Sequence, residues 1–272
     1  MNVDKVLERR IQLKILDILV EIDRICKNND IKYYLAYGTA IGAVRHKGFI
    51  PWDDDADIFM FKNEYEKFID VCKTELGNDF FIQTSETDKE YMMSITKIRL
   101  NNTAFVENCT KDWNIHHGVY VDIFILDECP KNKFLQKINT RVRRGTELAR
   151  RGTYTMSNKK NILKKLSIPL FYHNIILNMW KFIVYNHCKK DKDLCIDTCS
   201  CGGLILPRDA FGEPRNMEFE GYEFYVPENV EKFLTHFYGD FMTPPPEEQR
   251  RSHHDIVYID LDNPYKKENI KK

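Results

Sequence analysis

The stretch YYLAYGTAIGAVRHKGFIPWDDDADIFMF, residues 33–61, decides the fold and contains most of the candidate functional groups. Its first residues, 33–37, are mainly aromatic and predict a short buried strand. Gly38-Thr39 predicts a turn, and the small residues at 40–44 favour a tightly packed helix. Pro51 then interrupts the chain just before a run of aspartates. The stretch therefore predicts a strand, a helix and a second strand preceded by an acidic loop.

Four aspartates fall within five residues, directly before a run of four apolar residues. Side chains alternate in a strand, so a strand over 55–61 projects Asp55 and Asp57 from one face. Ala56 and Ile58 then enter the core. Adjacent carboxylates repel each other unless a cation lies between them, and oxygen-only ligands favour Mg²⁺ or Mn²⁺. The pattern predicts a divalent-metal site.

The same alternation predicts the directions in which the neighbouring side chains of Asp53 and Asp54 point. Asp53 shares the parity of Asp55 and Asp57 if the extended run begins early. Asp54 is expected to point elsewhere, so an Asp54→Asn change is expected to be mild.

Two other acidic motifs, the EF-hand loop and the glycosyltransferase DxD motif, partly match this segment. In an EF-hand loop Asp53, Asp55 and Asp57 would be ligands, but Ile58 stands where the sharp turn requires glycine. The DxD motif of glycosyltransferases also holds a nucleotide-bound metal. It usually follows a full nucleotide-binding half, whereas only about fifty residues precede the pair here. The glycosyltransferase interpretation stays open as an alternative.

A third carboxylate, Asp122, lies alone within the apolar run 118–126. A carboxylate among β-branched residues is costly to bury unless it is paired or bound to metal. A glycine turn, an Asp-x-Asp strand and a third carboxylate on a later strand are typical of the nucleotidyltransferase fold. We therefore predict an α/β (α+β) protein with a nucleotidyltransferase-like mixed sheet. Three carboxylates converging on metal suit phosphoryl transfer.

Three blocks of the sequence resemble the LicD family, the relatives of fukutin and fukutin-related protein. They are LAYGTAIGAVRHKGFIPWDDDADI at 35–58, VYVDIFILD at 119–127 and FEGYEFYVPENVEKFLTHFYGDFMTPPPEEQRRSHH at 219–254. The likeness runs from about residue 31 to 254 and is weakest over 131–215. It implies a phosphodiester-forming transferase, in which a CDP-activated alcohol donates its phospho-alcohol to a glycan hydroxyl. In bacterial members the donor is most often CDP-choline.

The resemblance implies roles for the acidic residues. Asp55, Asp57 and Asp122 would bind one or two Mg²⁺ or Mn²⁺ ions. Asp122 is the candidate general base, and Asp53 is the alternative.

Other residues are candidates for binding the donor nucleotide and its phosphates. Gly38 and Thr39 lie in the first block, and Arg45, between them and the aspartates, can meet a phosphate with two parallel hydrogen bonds. In the family a lysine in the neighbourhood of Lys97 lies near the active site, so Lys97 is a second candidate phosphate contact.

The acceptor implied by the resemblance is a cell-surface glycan of teichoic acid, lipopolysaccharide or capsule type, built on a lipid carrier at the cytoplasmic membrane face. Transfer of a whole nucleotide uses the same metals and stays open. A degenerate family member that only binds nucleotide or glycan also stays open, although such proteins usually lose one of the three carboxylates.

Composition limits the remaining possibilities. The chain has 272 residues and a formal net charge of zero, which gives no indication of a nucleic-acid partner. Eight cysteines without a visible secretory signal favour a reducing, cytoplasmic location with free thiols. A structural zinc site is the alternative for the cluster of Cys188, Cys195, Cys199 and Cys201, although the usual CxxC pairs are missing.

The chain divides into three predicted regions. Residues 1–128 form the catalytic core, 129–200 a basic and apolar helical region, and 201–272 a C-terminal extension that packs back on the core. Residues 131–165 contain twelve Lys or Arg, and the apolar segment 166–188 follows them. This segment predicts a core helix. The alternative is an interfacial helix beside a basic patch, which would give peripheral membrane contact.

The C-terminal region predicts a hairpin over 218–225, a helix after Pro227 and a rigid extended segment at the triple proline 244–246. This stiff arm is expected to return Arg250 and His254 to the catalytic cleft. A choline donor would also require aromatic side chains around its ammonium group. The sequence offers several without indicating which converge, among them Trp113, Tyr120, Tyr222 and Tyr225.

Overall fold

A mixed β-sheet with helices on both faces forms the centre of the computed structural model. The structure describes residues 5–157, 175, 178–180, 182, 188–199, 203–252 and 254–266. The described helices are α1 (Lys5–Asn28), α2 (Tyr37–His46), α3 (Lys62–Glu75), α4 (Lys133–Ser157) and α5 (Val230–Tyr238). The described strands are β1 (Tyr34–Leu35), β2 (Asp57–Phe61), β3 (Phe80–Gln83), β4 (Thr96–Leu100), β5 (Ala104–Glu107), β6 (Tyr120–Pro130), β7 (Lys190–Asp197), β8 (Ile205–Pro207), β9 (Arg215–Phe219), β10 (Tyr222–Val226) and β11 (Ile256–Asp260).

The long strand β6 organises the main sheet. It pairs in parallel with β2 and antiparallel with β4, and β1 and β3 extend the sheet beyond these two neighbours. The second half of β6 pairs with β7, which in turn pairs with β8. The fold is α+β, as predicted. The region 129–200, expected to be helical, also contributes β7 to this sheet.

The alternation of side chains in β2 and β6 separates two helical layers. Thr96 lies opposite Ile123 in the sheet, and its hydroxyl is 2.7 Å from that of Tyr65 in α3. The face of Ile123 is therefore covered by α3, which also contacts α1. Phe59 and Phe124, paired on the other face, meet aromatic side chains of α2 and α5. The sheet is thus buried on both sides in this region.

Local sequence accounts for several elements. In α1 the isoleucines at 11, 15, 18, 22 and 25 recur at steps of three and four and are buried, which gives the helix one apolar face. The hairpin of β9 and β10 turns at Gly221, whose φ of 80° favours glycine. In α5 the Asn229 side chain accepts a hydrogen bond from the backbone N–H of Lys232, which caps the helix.

The first aromatic strand is shorter than predicted. Only Tyr34–Leu35 is a strand, and Tyr37 already begins α2, so the expected turn at Gly38-Thr39 is the first turn of that helix. Tyr37 has a φ of 43°, which is rare for a bulky residue. Its hydroxyl donates a hydrogen bond to Asp197 Oδ2 at 2.6 Å, and its ring packs 4.9 Å from that of Phe59. These long-range contacts hold a backbone conformation that local preference disfavours.

The C-terminal arm, residues 239–255, runs from the end of α5 to β11. Strand β11 pairs with β5 in a separate two-stranded sheet, and Ile256 is buried. The predicted apolar helix over 166–188 lies almost entirely outside the described residues. Within the part of the chain that the structure describes, no helix combines the length and apolar character needed to cross a membrane.

Candidate active site

Two carboxylates and a lysine share one face of the sheet. Asp57 and Asp122 are direct neighbours in the parallel pair of β2 and β6, and Lys97 of β4 lies opposite Asp122. Lys97 Nζ is 2.6 Å from Asp122 Oδ1 and 3.3 Å from the centre of the Tyr120 ring. Lys97 is only 4% exposed, so the sheet register creates a buried ion pair beside a second carboxylate.

The acidic loop, residues 53–56, leads into β2. Carboxylate oxygens of Asp53, Asp54 and Asp55 lie within 4.8 Å of one another. A Cβ atom at Gly38 would lie 2.8 Å from Asp53 Oδ2, so glycine permits this close approach. The backbone N–H of Asp57 donates to Thr39 Oγ1 at 2.8 Å. Gly38 and Thr39 thus fix the acidic residues from the first turn of α2.

The carboxylates raise one another's pKa. Burial and the charge of Asp55 raise the pKa of Asp53 well above its usual range. Burial and the charges of Asp55 and Asp122 likewise raise the pKa of Asp57 well above its usual range. Burial also raises the pKa of Asp122, although Lys97 opposes the shift.

This oxygen-only donor set fits a hard divalent cation such as Mg²⁺ or Mn²⁺, which would offset the repulsion between the carboxylates. Three aspartates, Asp53, Asp54 and Asp55, have carboxylate oxygens close enough to share one ion. Among the described residues they are the group of Asp, Glu, His or Cys side chains that meets this condition. Asp57 and Asp122 adjoin that cluster on the sheet.

A cavity of about 410 Å³ opens beside the acidic loop. Asp53, Asp55 and Asp57 form one wall, and the start of α2 forms another. The third wall comes from the end of α5 and the C-terminal arm. Besides the three aspartates, the aromatic and acidic residues that line the cavity are Tyr37, Trp52, Tyr238, Phe241 and Asp240. The cavity thus combines a carboxylate cluster with aromatic surfaces from distant parts of the chain.

The two predicted arginines lie at different depths. Arg45 lines the cavity, and its Nη1 donates to the carbonyl oxygen of Phe241 at 2.6 Å. Burial and the charge of Arg250 lower the pKa of Arg45. Arg250 does not line the cavity. Its guanidinium carbon lies 5.3 Å from the centre of the Trp52 ring. Arg45 can therefore reach a ligand directly, whereas Arg250 supports Trp52.

His254 returns to the acidic loop, where it contacts Asp54. Its Nδ1 is 2.9 Å from Asp54 Oδ1, and its Nε2 is 3.7 Å from Asp55 Oδ2. Burial lowers the pKa of His254, but the hydrogen bond to Asp54 and the charges of Asp55, Asp54 and Glu107 outweigh it and raise the pKa to about 9. The imidazole of His254 is thus held against the carboxylate cluster.

The expectation that Asp54 is dispensable needs correction. Asp54 does point away from the strand parity of Asp55 and Asp57, but its side chain is 5% exposed and not solvated. It accepts hydrogen bonds from Ser252 and His254. A substitution there would remove partners from two residues of the C-terminal arm, so a mild effect is no longer expected.

Sequence reasoning missed other residues near the site. Glu107 of β5 lies 3.9 Å from His254 Nε2, and no local pattern marked it. Trp52, Tyr238 and Asp240 line the cavity. Trp52 directly precedes the aspartates in the sequence, and this position could have indicated that it lies at the site. Tyr238 and Asp240 lie at the end of α5, where the sequence shows only a helix terminus.

The aromatic residues named as cage candidates lie elsewhere. Trp113, Tyr120, Tyr222 and Tyr225 do not line the cavity. Trp113 is buried in the loop before β6, whereas Tyr222 is 50% exposed on the hairpin. The histidines at 116 and 117 are loop residues. Burial, followed for His116 by the charge of Arg99, lowers the pKa of each imidazole to about 4.

The zinc expectation finds no support. Cys195 Sγ contacts the Leu206 carbonyl oxygen, and Cys199 Sγ contacts that of Ser94. Burial raises the pKa of both thiols to about 12, which disfavours the thiolate that zinc requires. Cys188 is partly exposed, and Cys201 lies outside the described residues.

Comparisons with known proteins place the sequence among transferase relatives. The family model described as LicD/FKTN/FKRP, nucleotidyltransferase domain, matches residues 30–148. The chain is 33% identical over 257 residues to the lipopolysaccharide cholinephosphotransferase LicD of Haemophilus influenzae, covering 90% of this chain and 95% of that relative. Uncharacterised proteins of Rickettsia prowazekii and Rickettsia typhi match at 32% over 96 residues and 26% over 111 residues, and each match covers 36% of the relative. The matched region contains the acidic loop and Asp122.

Proposed function

Because the chain belongs to the LicD family, we propose that it transfers phosphocholine from CDP-choline to a hydroxyl of a cell-surface glycan, with a divalent cation. The observation that carries the proposal is the pairing of Asp57 with Asp122 beside the acidic loop and its cavity. The Haemophilus relative is named for lipopolysaccharide, so a lipopolysaccharide-type acceptor is proposed first. Teichoic acid and capsule glycans are the other acceptors to test.

The proposed mechanism uses the chain's own groups to hold both substrates. Asp55, Asp57 and Asp122 would hold the cation, which supplies charge neutralisation on the transferring phosphate. Arg45 and the backbone N–H groups at the start of α2, which lacks a side-chain cap, face the donor phosphates. The α2 N-terminus and Arg45 thus orient the donor with its phosphorus beside the acidic wall.

The acceptor hydroxyl oxygen forms the new bond to phosphorus as the bond to CMP breaks. Asp53 is the proposed general base that takes the hydroxyl proton, because its carboxylate lines the cavity beside Asp55 and Asp57. Asp122, the first candidate from sequence, has one carboxylate oxygen engaged by Lys97. Its proposed role is therefore to hold the cation.

Product analysis tests the reaction class. The purified protein would be incubated with CDP-choline and a lipopolysaccharide glycan, and the glycan analysed by mass spectrometry. A gain of phosphocholine with release of CMP is expected. A gain of nucleotide would instead identify a nucleotidyltransferase, and binding without turnover a non-catalytic member. EDTA is expected to stop turnover and added Mg²⁺ or Mn²⁺ to restore it.

The cavity wall gives a prediction about donor selectivity. Aromatic faces and a carboxylate suit a quaternary ammonium group, and Tyr238 and Asp240 supply both. A Tyr238→Leu change is expected to remove about 1–2 kcal/mol of binding, which raises the KM for CDP-choline about 5- to 30-fold. Tyr222→Leu, at an exposed tyrosine outside the cavity, is the matched control.

CDP-glycerol, whose alcohol is uncharged, separates this effect from a general loss of donor binding. Tyr238→Leu is expected to leave the KM for CDP-glycerol within about twofold. Equal losses with both donors would show that Tyr238 contacts the shared CDP portion and does not select the ammonium group.

Membrane contact is proposed through α4, at the cytoplasmic face where lipid-linked acceptors are expected. Arg143, one of the basic residues within 131–165, is 6% exposed and hydrogen-bonded to Asn139, so it is not available to contact lipid. Four other cations recur at helical spacing on the exposed side of α4: Lys133, Lys137, Arg141 and Arg144. Each contributes about 1 kcal/mol near anionic lipid.

Flotation with liposomes measures this contact. We expect binding to vesicles containing phosphatidylglycerol at low salt and none to neutral vesicles. Reversal of charge at Lys133, Lys137 and Arg141 is expected to abolish it. Reversal at Lys62, Lys67 and Lys73 of α3, a matched change in charge, should leave it intact. Equal loss in both triple variants would mean that net charge, and not α4, governs binding.

A further inference from the structure

The C-terminal arm is joined to the acidic loop through a single buried carboxylate. Asp54 Oδ2 accepts a hydrogen bond from Ser252 Oγ at 2.6 Å, and Asp54 Oδ1 is 2.9 Å from His254 Nδ1. The backbone N–H of His254 donates to Ser252 Oγ at 3.0 Å. Both oxygens of Asp54 are therefore committed to the arm.

The imidazole of His254 is held from several sides. Its ring packs edge-on against Phe105 and Tyr120, with centres 6.3 Å apart in each case. Two residues later Ile256 begins β11, which pairs with β5. The arm is thus paired with β5 immediately after His254, and the ring contact with Tyr120 gives the imidazole a fixed place relative to β6 as well.

The acidic loop requires such support. It precedes β2, and the hydrogen bond described between its backbone and the strands is at its last residue, where Ala56 O accepts from the N–H of Asp122. Its described anchors on the N-terminal side are the backbone bond from Asp53 N to Ile50 O and the bond from Gln12 Nε2 to Asp53 O. Repulsion among its carboxylates favours an open loop. The bonds from Ser252 and His254 oppose that opening at the centre of the loop.

We propose that Asp54, Ser252 and His254 are positioning residues that lock the acidic loop onto the C-terminal arm and thereby hold Asp55 in place for the divalent cation. His254 Nε2 lies 3.7 Å from Asp55 Oδ2, so the same imidazole faces both carboxylates. The inference rests on the proposed function in one respect, the assignment of Asp55 as a metal ligand. It extends that function by making the C-terminal arm part of the metal site.

Calorimetric titration with Mn²⁺ alone tests the lock without any donor or acceptor. Ser252→Ala and His254→Gln are expected to weaken Mn²⁺ binding by about tenfold to a hundredfold, the usual effect of losing a group that orients a ligand. Their thermal unfolding midpoints, measured without metal, should stay within a few degrees of that of the unchanged protein. Ser85→Ala and His236→Gln, both at exposed positions, are the matched controls and should bind Mn²⁺ normally.

Turnover gives the second readout. In Ser252→Ala the Mn²⁺ concentration for half-maximal rate is expected to rise, while the rate at saturating Mn²⁺ recovers most of its value. Unchanged Mn²⁺ affinity in a folded Ser252→Ala variant would overturn the lock, even if His254→Gln does not fold. A protein that binds no Mn²⁺ in its unchanged form would instead overturn the proposed metal site.

Discussion

Replacing Asp57 by Asn is expected to lower turnover by about a thousandfold or more, because losing a metal ligand removes several kcal/mol of transition-state stabilisation. The fold should survive the change. Asp57 is half-buried beside other carboxylates, and burial with the charges of Asp55 and Asp122 raises its pKa. The amide removes that repulsion, so the variant should unfold at a higher temperature than the unchanged protein. Turnover of CDP-choline and a thermal unfolding curve measure the two effects.

Two comparisons make this result specific. Asp70→Asn changes a carboxylate on α3 that is 75% exposed, and it should alter neither turnover nor unfolding temperature. Asp122→Asn should lose activity like Asp57→Asn but should not gain stability, because it also removes the partner of Lys97. Turnover within tenfold of normal in Asp57→Asn would exclude Asp57 from the reaction.

The acidic side chains of β2 and β6 were predictable because strand alternation is a local property. Ala56 and Ile58 are fully buried on either side of Asp57, as the period of two requires. Asp122 was recognisable because a lone carboxylate in an apolar strand is costly without a partner. Sequence alone could not give the register that makes Asp57 and Asp122 neighbours, since it depends on pairing between residues 65 positions apart.

Alternation did not extend to the acidic loop. Strand β2 begins at Asp57 and not at Asp55. Asp53 and Asp54 therefore lie outside the strand, and the alternation of strand side chains does not predict where they point. Asp54 is placed by Ser252 and His254, nearly 200 residues later in the chain. The sequence did indicate that the triple proline returns the arm to the cleft, but not which acidic residue would receive it.

The aromatic wall of the cavity was unpredictable for a related reason. Tyr238 is the last residue of α5 and Phe241 follows it, and this helix end has its own local explanation, the turn at Gly239 with a φ of 67°. Nothing within that segment indicates that it faces Asp53. The convergence depends on α5 packing against α2, where the ring of Tyr37 lies between those of Phe59 and Phe237. Site residues on such returning segments require the tertiary structure.

The ion pair of Lys97 and Asp122 gives the largest expected change in stability. Lys97→Met keeps the length of the side chain but leaves Asp122 buried without its cation and next to Asp57. Breaking a buried pair by removing one partner typically costs about 3–5 kcal/mol. We expect a loss of that size in the free energy of unfolding, measured with urea, together with loss of turnover.

The double variant Lys97→Met/Asp122→Asn distinguishes the lost charge from lost packing. Without the unpaired carboxylate, most of the stability should return, whereas turnover should not, because Asp122 is also a proposed metal ligand. A double variant as unstable as Lys97→Met would mean that the contact of the Lys97 side chain with the Tyr120 ring, and not the ion pair, stabilises the sheet. Added Mg²⁺ should stabilise Lys97→Met more than the double variant, since only the single variant keeps the carboxylate for the ion to neutralise.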